Sequence, residues 1–139
     1  MSRKLLALAT MVLALLPATA PARPPLGVAP ALIGTWINQR GTVKVRTGDC
    51  AGNLCGWVVW AAPKAEADAR DSGVTQLVGT ELLRNYRGKG PGRYEGTVYV
   101  PDMGHSFYST IVQRDADHIR ISGCILGGLI CKSQDWHRA

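Results

Sequence analysis

From Leu32 onward, apolar and polar positions alternate in short runs separated by turn residues, the pattern of strands with one buried face. Val43 and Val45 fall on one face of the run Thr42–Thr47, with Lys44 and Arg46 on the other. Ile119 and Ile121 alternate with His118 and Arg120 in the same way. The runs predict strands at Ile33–Arg40, Thr42–Thr47, Leu54–Ala61, Thr80–Arg87, Arg93–Val100, Ser106–Arg114, His118–Gly123 and Ile130–Arg138. In the third run, Trp57, Val58, Val59 and Trp60 are apolar on both faces, which predicts a strand covered on each side. Turn chemistry punctuates the runs at Gly41, Gly48–Asn53, Gly88–Gly92, Pro101–Gly104, Asp115–Asp117 and Gly127–Gly128. One connection, 62–79, is longer; within it Lys64–Arg70 is rich in Ala and Glu and predicts a turn or two of helix.

Eight antiparallel strands joined by hairpin-length connections predict an all-β fold, a small up-and-down barrel. Its interior either fills with side chains or holds one small ligand. A two-sheet sandwich is the alternative arrangement. The chain shows no internal repeat.

The N-terminus reads differently. Arg3 and Lys4 precede an apolar run, Leu5–Leu16, which Pro17 ends, and small residues follow as far as Ala22. The run is shorter than the ~20 residues a membrane-spanning helix needs. A basic start, a short apolar middle and a small-residue end are the marks of a secretory signal peptide, expected over residues 1–22 with cleavage after Ala22. A flexible Pro-rich segment is expected at 23–31 and a single barrel domain at 32–139, placed in the periplasm or secreted. No transmembrane segment is expected in the mature chain.

The formal charge of the whole chain is +6, and the export segment carries two of the cations. The remaining cations are spread out and interrupted by carboxylates, with no stretch interleaving basic and aromatic residues. This argues against nucleic acid as a partner. Nothing in the pattern specifies an oligomeric state.

Cys50, Cys55, Cys124 and Cys131 all follow the export segment, and an even count outside the cytoplasm reads as disulfides. Three connectivities exist. In an up-and-down order, the turn after the second strand and the turn after the seventh lie at opposite ends, separated by a strand length of ~20 Å. A disulfide tolerates a Cα separation of only ~7 Å, so the order selects the local pairs Cys50–Cys55 and Cys124–Cys131. A four-cysteine zinc site is the competing reading, but the C-x4-C and C-x6-C spacings are wider than the usual C-x2-C.

An ordered set of short motifs runs along the chain. It comprises Gly34-Thr35-Trp36, Cys50 with Cys55-Gly56, and Gly96-Thr97-Val98-Tyr99 leading to Pro101 and Gly104. Tyr108, Gly123-Cys124 and Gln134-Asp135-Trp136-His137-Arg138 complete it. This ordered set resembles the exported bacterial family known as domain of unknown function 2147. The resemblance implies a lipocalin-like barrel. It also implies that Gly34 and Trp36 on the first strand meet Arg138 on the last, a guanidinium over an indole that closes one end. One departure is Val100, where the family usually has Asp before the proline; here Asp102 follows it.

Candidate chemistry is sparse. His105, His118 and His137 fall on three segments, and neither Ser106 nor Ser109 has a histidine near it in sequence at a spacing that requires a triad. Asp68 and Asp71 could serve as an acid–base or Ca²⁺ pair, yet Lys64 and Arg70 flank them and favour a solvated reading. No cofactor or metal is expected. Among the central-strand aromatics, Trp60, Tyr99 and Tyr108 are the candidate ligand-binding residues, since a pocket uses rings with a polar tip. The lipocalin resemblance implies a non-enzymatic binder of a small apolar or amphipathic molecule. The alternatives are an envelope-associated interaction module, which requires an exposed apolar patch, and a hydrolase-type enzyme, which requires convergent polar groups among Asp68, Asp71, His105 and His118.

Overall fold

The computed structural model describes residue 20 and residues 27–139. The export signal expected at 1–22, apart from residue 20, and the start of the Pro-rich segment lie outside the described residues. The strands are β1 (Gly34–Ile37), β2 (Val43–Cys50), β3 (Asn53–Ala61), β4 (Glu81–Gly90), β5 (Arg93–Val100), β6 (His105–Gln113), β7 (His118–Ile125) and β8 (Ile130–Arg138). One helix, α1 (Pro63–Asp71), lies between β3 and β4. The eight strands form a closed antiparallel barrel in sequence order, β8 returning to pair with β1.

An up-and-down order fixes two ends. The β2–β3, β4–β5 and β6–β7 turns, the start of β1 and the end of β8 lie at one end. The β1–β2, β5–β6 and β7–β8 turns and the α1 connection lie at the other.

The first end is sealed. Trp36 is fully buried, and its indole Nε1 donates to the Leu32 carbonyl and to Thr47 Oγ1, both at 3.2 Å. The Tyr94 hydroxyl accepts from the Ala29 amide at 2.9 Å and donates to the Gly27 carbonyl at 3.4 Å. The described part of the Pro-rich segment is thus held against this end. Arg138 closes it from the other side, its guanidinium carbon 4.3 Å from the centre of the Trp36 ring. Above this plug, Tyr86 and Ser109 are buried, and neither hydroxyl has a hydrogen-bond partner among the described residues. Burial pushes the Tyr86 phenol well above its usual pKa, an effect that the nearby Ser109 opposes only in part.

Both disulfides are local, Cys50–Cys55 across the β2–β3 turn and Cys124–Cys131 across the β7–β8 turn, with Cα separations of 6.0 and 4.1 Å. Every cysteine is therefore consumed in a bond, and the four-cysteine zinc reading is set aside.

The elements depart from the sequence pattern in several places, and β2 and β4 run on through the expected turn residues Gly48–Cys50 and Gly88–Gly90. The first strand is shorter than Ile33–Arg40, because the Asn38 carboxamide takes over the turn: its Oδ1 accepts from the Thr42 and Val43 amides at 2.8 and 3.0 Å. The β3 strand is not covered on both sides; Val58 is buried, but Val59 and Trp60 are exposed. A bulge explains this, because Trp60 pairs with Lys44 while Val58 pairs with the next residue, Val45. Two residues of β3 thus advance the ladder by one on β2, and the facing of Trp60 and Ala61 is inverted. Finally, Pro63–Asp71 forms a regular helix of nine residues, started by Pro63 in its first turn.

Candidate functional site

The second end of the barrel is open. A cavity of about 730 Å³ occupies it, within the range of ~300–1,000 Å³ typical of small-molecule sites. Its walls are the inward-facing rows of the strands, with Val98 on β5, Phe107 on β6, Ile121 on β7 and Trp136 on β8. Leu77 and Leu82 complete the apolar floor on the α1–β4 side. The barrel is a cup, filled at one end and hollow at the other.

Small residues create part of this space. Gly123 lies on the cavity wall in the inward row of β7, between Ile121 and Ile125, and has no side chain to fill it. Ala65 and Ala69 bring α1 close over the mouth. The helix is anchored across the opening: the Ala62 amide donates to the Thr42 carbonyl at 2.8 Å, and Ser72 Oγ donates to the Asp102 carbonyl at 2.6 Å. It therefore bridges from the β2–β3 side to the β5–β6 turn as a partial roof.

The polar groups on the wall are few and unevenly placed. Gln134 Oε1 accepts from the Trp136 indole at 3.1 Å, which orients both side chains. On the roof, Lys64 pairs with Asp68 at 3.0 Å. Asp102 lies in the β5–β6 turn beneath the end of the helix. Arg40 in the β1–β2 turn and Lys132 on β8 complete the charged set.

The residues singled out from sequence are dispersed. Tyr99 is part of the cavity wall, and the Arg84 guanidinium carbon lies 4.7 Å from its ring centre. Trp60 and Tyr108 do not reach the cavity: they face outward, 43% and 45% exposed. The bulge in β3 inverts Trp60, which then lies under the Lys44 ammonium at 5.4 Å. Tyr108 follows plain alternation between Phe107, on the cavity wall, and the buried Ser109.

Asp68 is on the roof, but Asp71, His105 and His118 do not join it on the cavity wall. His118 Nδ1 lies 2.8 Å from Asp115 on the exterior near the sealed end. The Asp117 amide, and after it His118, hold the Asp115 carboxyl below the usual carboxylate range. Arg120 and Asp135 form a two-pronged exterior pair at 2.8 and 2.9 Å, which lowers the Asp135 pKa. No group of three or more His, Cys, Asp or Glu side chains suited to a metal occurs among the described residues.

The wall residues Lys132, Gln134 and Trp136 were not among the sequence candidates. Their signal was available, since they share one face of the last strand at every second position.

The model of a bacterial family described as "uncharacterized protein conserved in bacteria (DUF2147)" matches residues 34–138. No curated protein sequence matches the chain. Among solved structures, the barrel is similar to protein HP1028 from Helicobacter pylori, described as belonging to the lipocalin family. The TM-score is 0.60 at 14% identity, covering 78% of this chain and 82% of that one. At that identity the likeness concerns the fold.

Proposed function

The chain belongs to the bacterial family DUF2147, and from its hollow lipocalin-like barrel we propose that it is a non-enzymatic binder of a small apolar or amphipathic molecule. One observation carries this reading: the apolar cavity of about 730 Å³, open at one end and roofed in part by α1. Fold alone supports no more than a binding prior. The cavity adds volume, a mostly apolar wall and few polar groups, the make-up of a carrier site. Titration of the mature protein with a neutral apolar fluorophore such as N-phenyl-1-naphthylamine tests the reading, together with native mass spectrometry of protein purified from its own host. Saturable binding at one site, or a co-purifying ligand, is the expected result. Bare polypeptide with no saturable uptake of the fluorophore refutes it.

The proposed place of action is outside the cytoplasm, after removal of residues 1–22. The two disulfides favour an oxidising compartment, and no helix among the described residues is long and apolar enough to cross a membrane. Cell fractionation with N-terminal sequencing should find the chain outside the cytoplasm beginning at Arg23. Recovery of an uncleaved chain with reduced cysteines in the cytoplasm contradicts this.

A second reading, an envelope-associated interaction module, has one observation in its favour. The β7–β8 tip exposes Ile125, Leu126, Leu129 and Ile130, with Leu129 84% exposed. Replacing Leu126 and Leu129 by Ser should leave fluorophore uptake intact while abolishing any association with envelope fractions.

A further inference from the structure

The barrel closes through an incomplete seam. β1 pairs with β8 at only two positions, Trp36 with Arg138 and Ile37 with His137. Beyond them β1 ends and the chain turns through Asn38–Thr42, whereas β8 runs on to Ile130 with no ladder partner on that edge. A single side-chain bridge continues the seam, from the Asp135 amide to Gln39 Oε1 at 3.4 Å. The open end of the cup therefore also opens sideways between the β1–β2 turn and β8.

The charges on the cavity wall are sorted by this seam. Arg40, in the β1–β2 turn, stands on one side and Lys132, on β8, on the other. Lys132 occupies an inward position, in the row of Gln134 and Trp136, and its register partner on β7 is Gly123. The position beside it on β7 therefore carries no side chain. Neither Arg40 nor Lys132 forms an ion pair among the described residues. The two acids on the wall belong elsewhere: Asp68 is held by Lys64 on α1, and Asp102 lies in the β5–β6 turn on the far side of the barrel. Asp135, the nearest acid along β8, is taken up on the exterior by Arg120.

An inward-row lysine and an arginine in the turn across the seam, both without a carboxylate and both lining an apolar cup, are complementary to an anion attached to an apolar body. We propose that the cavity takes an amphiphile with an anionic head, the head seated at the seam between Arg40 and Lys132 and the apolar body lying against Val98, Phe107, Ile121 and Trp136. The proposal rests on the ligand-binding reading above and specifies its chemistry. The Gln134 amide nitrogen, left free when its oxygen serves Trp136, is a further donor on the same wall. An alkyl carboxylate and an alkyl phosphate share this chemistry, and the test separates them.

Displacement of N-phenyl-1-naphthylamine from the mature protein is measured with dodecanoate, dodecyl phosphate and dodecyltrimethylammonium below their micellar concentrations and with dodecanol below its solubility limit. At least one anion should displace at a concentration about tenfold lower than the alcohol, the scale of two partly exposed charged contacts, and the ammonium compound should be weakest. The stronger of the two anions identifies the head. In the double variant Arg40→Met and Lys132→Met this preference should vanish while dodecanol displaces as before. Both side chains are exposed, so the variant keeps its fold, and retained dodecanol displacement reports that directly. Equal displacement by the anions and the alcohol overturns the proposal, as does a preference that survives the double substitution. Failure of the fluorophore to bind at all removes the ligand-binding reading itself and this proposal with it.

Discussion

Arg138 and Trp36 are register partners on the last and first strands, and the guanidinium of one lies over the indole of the other at 4.3 Å. The same guanidinium donates to the Ala31 and Ala116 carbonyls at 2.7 and 3.0 Å, and lies 3.5 Å from the Asp117 carboxylate. One side chain therefore ties the N-terminal segment, the β6–β7 turn and the barrel seam together. Arg138→Ala should cost about 2–3 kcal/mol, from the lost cation–π contact and the carbonyls left without a charged donor. Arg138→Lys should recover less than half, because an ammonium cannot reach both carbonyls in one plane. Urea unfolding measures both; a loss under ~0.5 kcal/mol for the alanine variant would show that closure rests elsewhere.

The two disulfides span rings closed by sequence separations of 5 and 7 residues, at opposite ends of the barrel. Loop entropy assigns each roughly 2–2.5 kcal/mol. Paired Cys→Ser substitution of either bridge should lower stability by about that amount, and the two losses should add, since distant sites act independently. Strong non-additivity in a double-variant cycle would show coupling through the barrel.

Gly96 faces the barrel interior where no Cβ fits: one would lie 2.7 Å from the Arg84 carbonyl oxygen and 2.7 Å from Tyr86 Cγ. Gly96→Ala should destabilise by about 1–3 kcal/mol, the usual cost of overpacking, and should disturb the near-UV signal of Tyr86. A variant as stable as the parent contradicts the close approach.

Gly123 is the opposite case. A Cβ there would meet Val98 at 3.6 Å, an ordinary contact, so a larger side chain can be built into the cavity. Gly123→Leu should leave the melting temperature within a few degrees while weakening fluorophore uptake by about tenfold or more. Trp136 lines the same space, and its emission should shift on uptake in the parent. Undiminished uptake by the leucine variant would place the binding site outside the cup.

Arg120 holds the Asp135 carboxyl below the ordinary Asp value of ~3.9. A depressed folded-state pKa contributes stability that is present above the unfolded value and lost as pH falls through the folded one. Both groups are exposed, so the effect on stability is small, and the titration itself is the sharper readout. Arg120→Gln should raise the Asp135 pKa toward its ordinary value in a carboxyl NMR titration; an unchanged value would mean the pair does not persist in solution.

Much of this architecture was legible in residue order. Strict alternation in Val43–Thr47 and His118–Ile121 marked buried faces that the structure keeps. Hairpin-length connections implied an up-and-down order, and that order left each cysteine only its sequence neighbour as a partner. At the closure, the Arg138 guanidinium lies over Trp36 and fills the space that a Cβ on Gly34 would need. The site was less legible. Alternation advances one face per residue, so it cannot register the extra residue that turns Trp60 outward. Nor does a single strand reveal that Gly123 and Lys132 stand opposite one another, because register belongs to the pair.

The chain alone determined what is local or periodic: which segments extend, where they turn, which face of each is apolar, and which cysteines can reach each other. Whether the interior is solid or hollow was decided only when the strands closed. Cavity volume depends on how side chains from different strands and from α1 meet across the axis, and on where β1 stops short along β8. Those are distances between residues far apart in sequence, and no pattern along one strand encodes them.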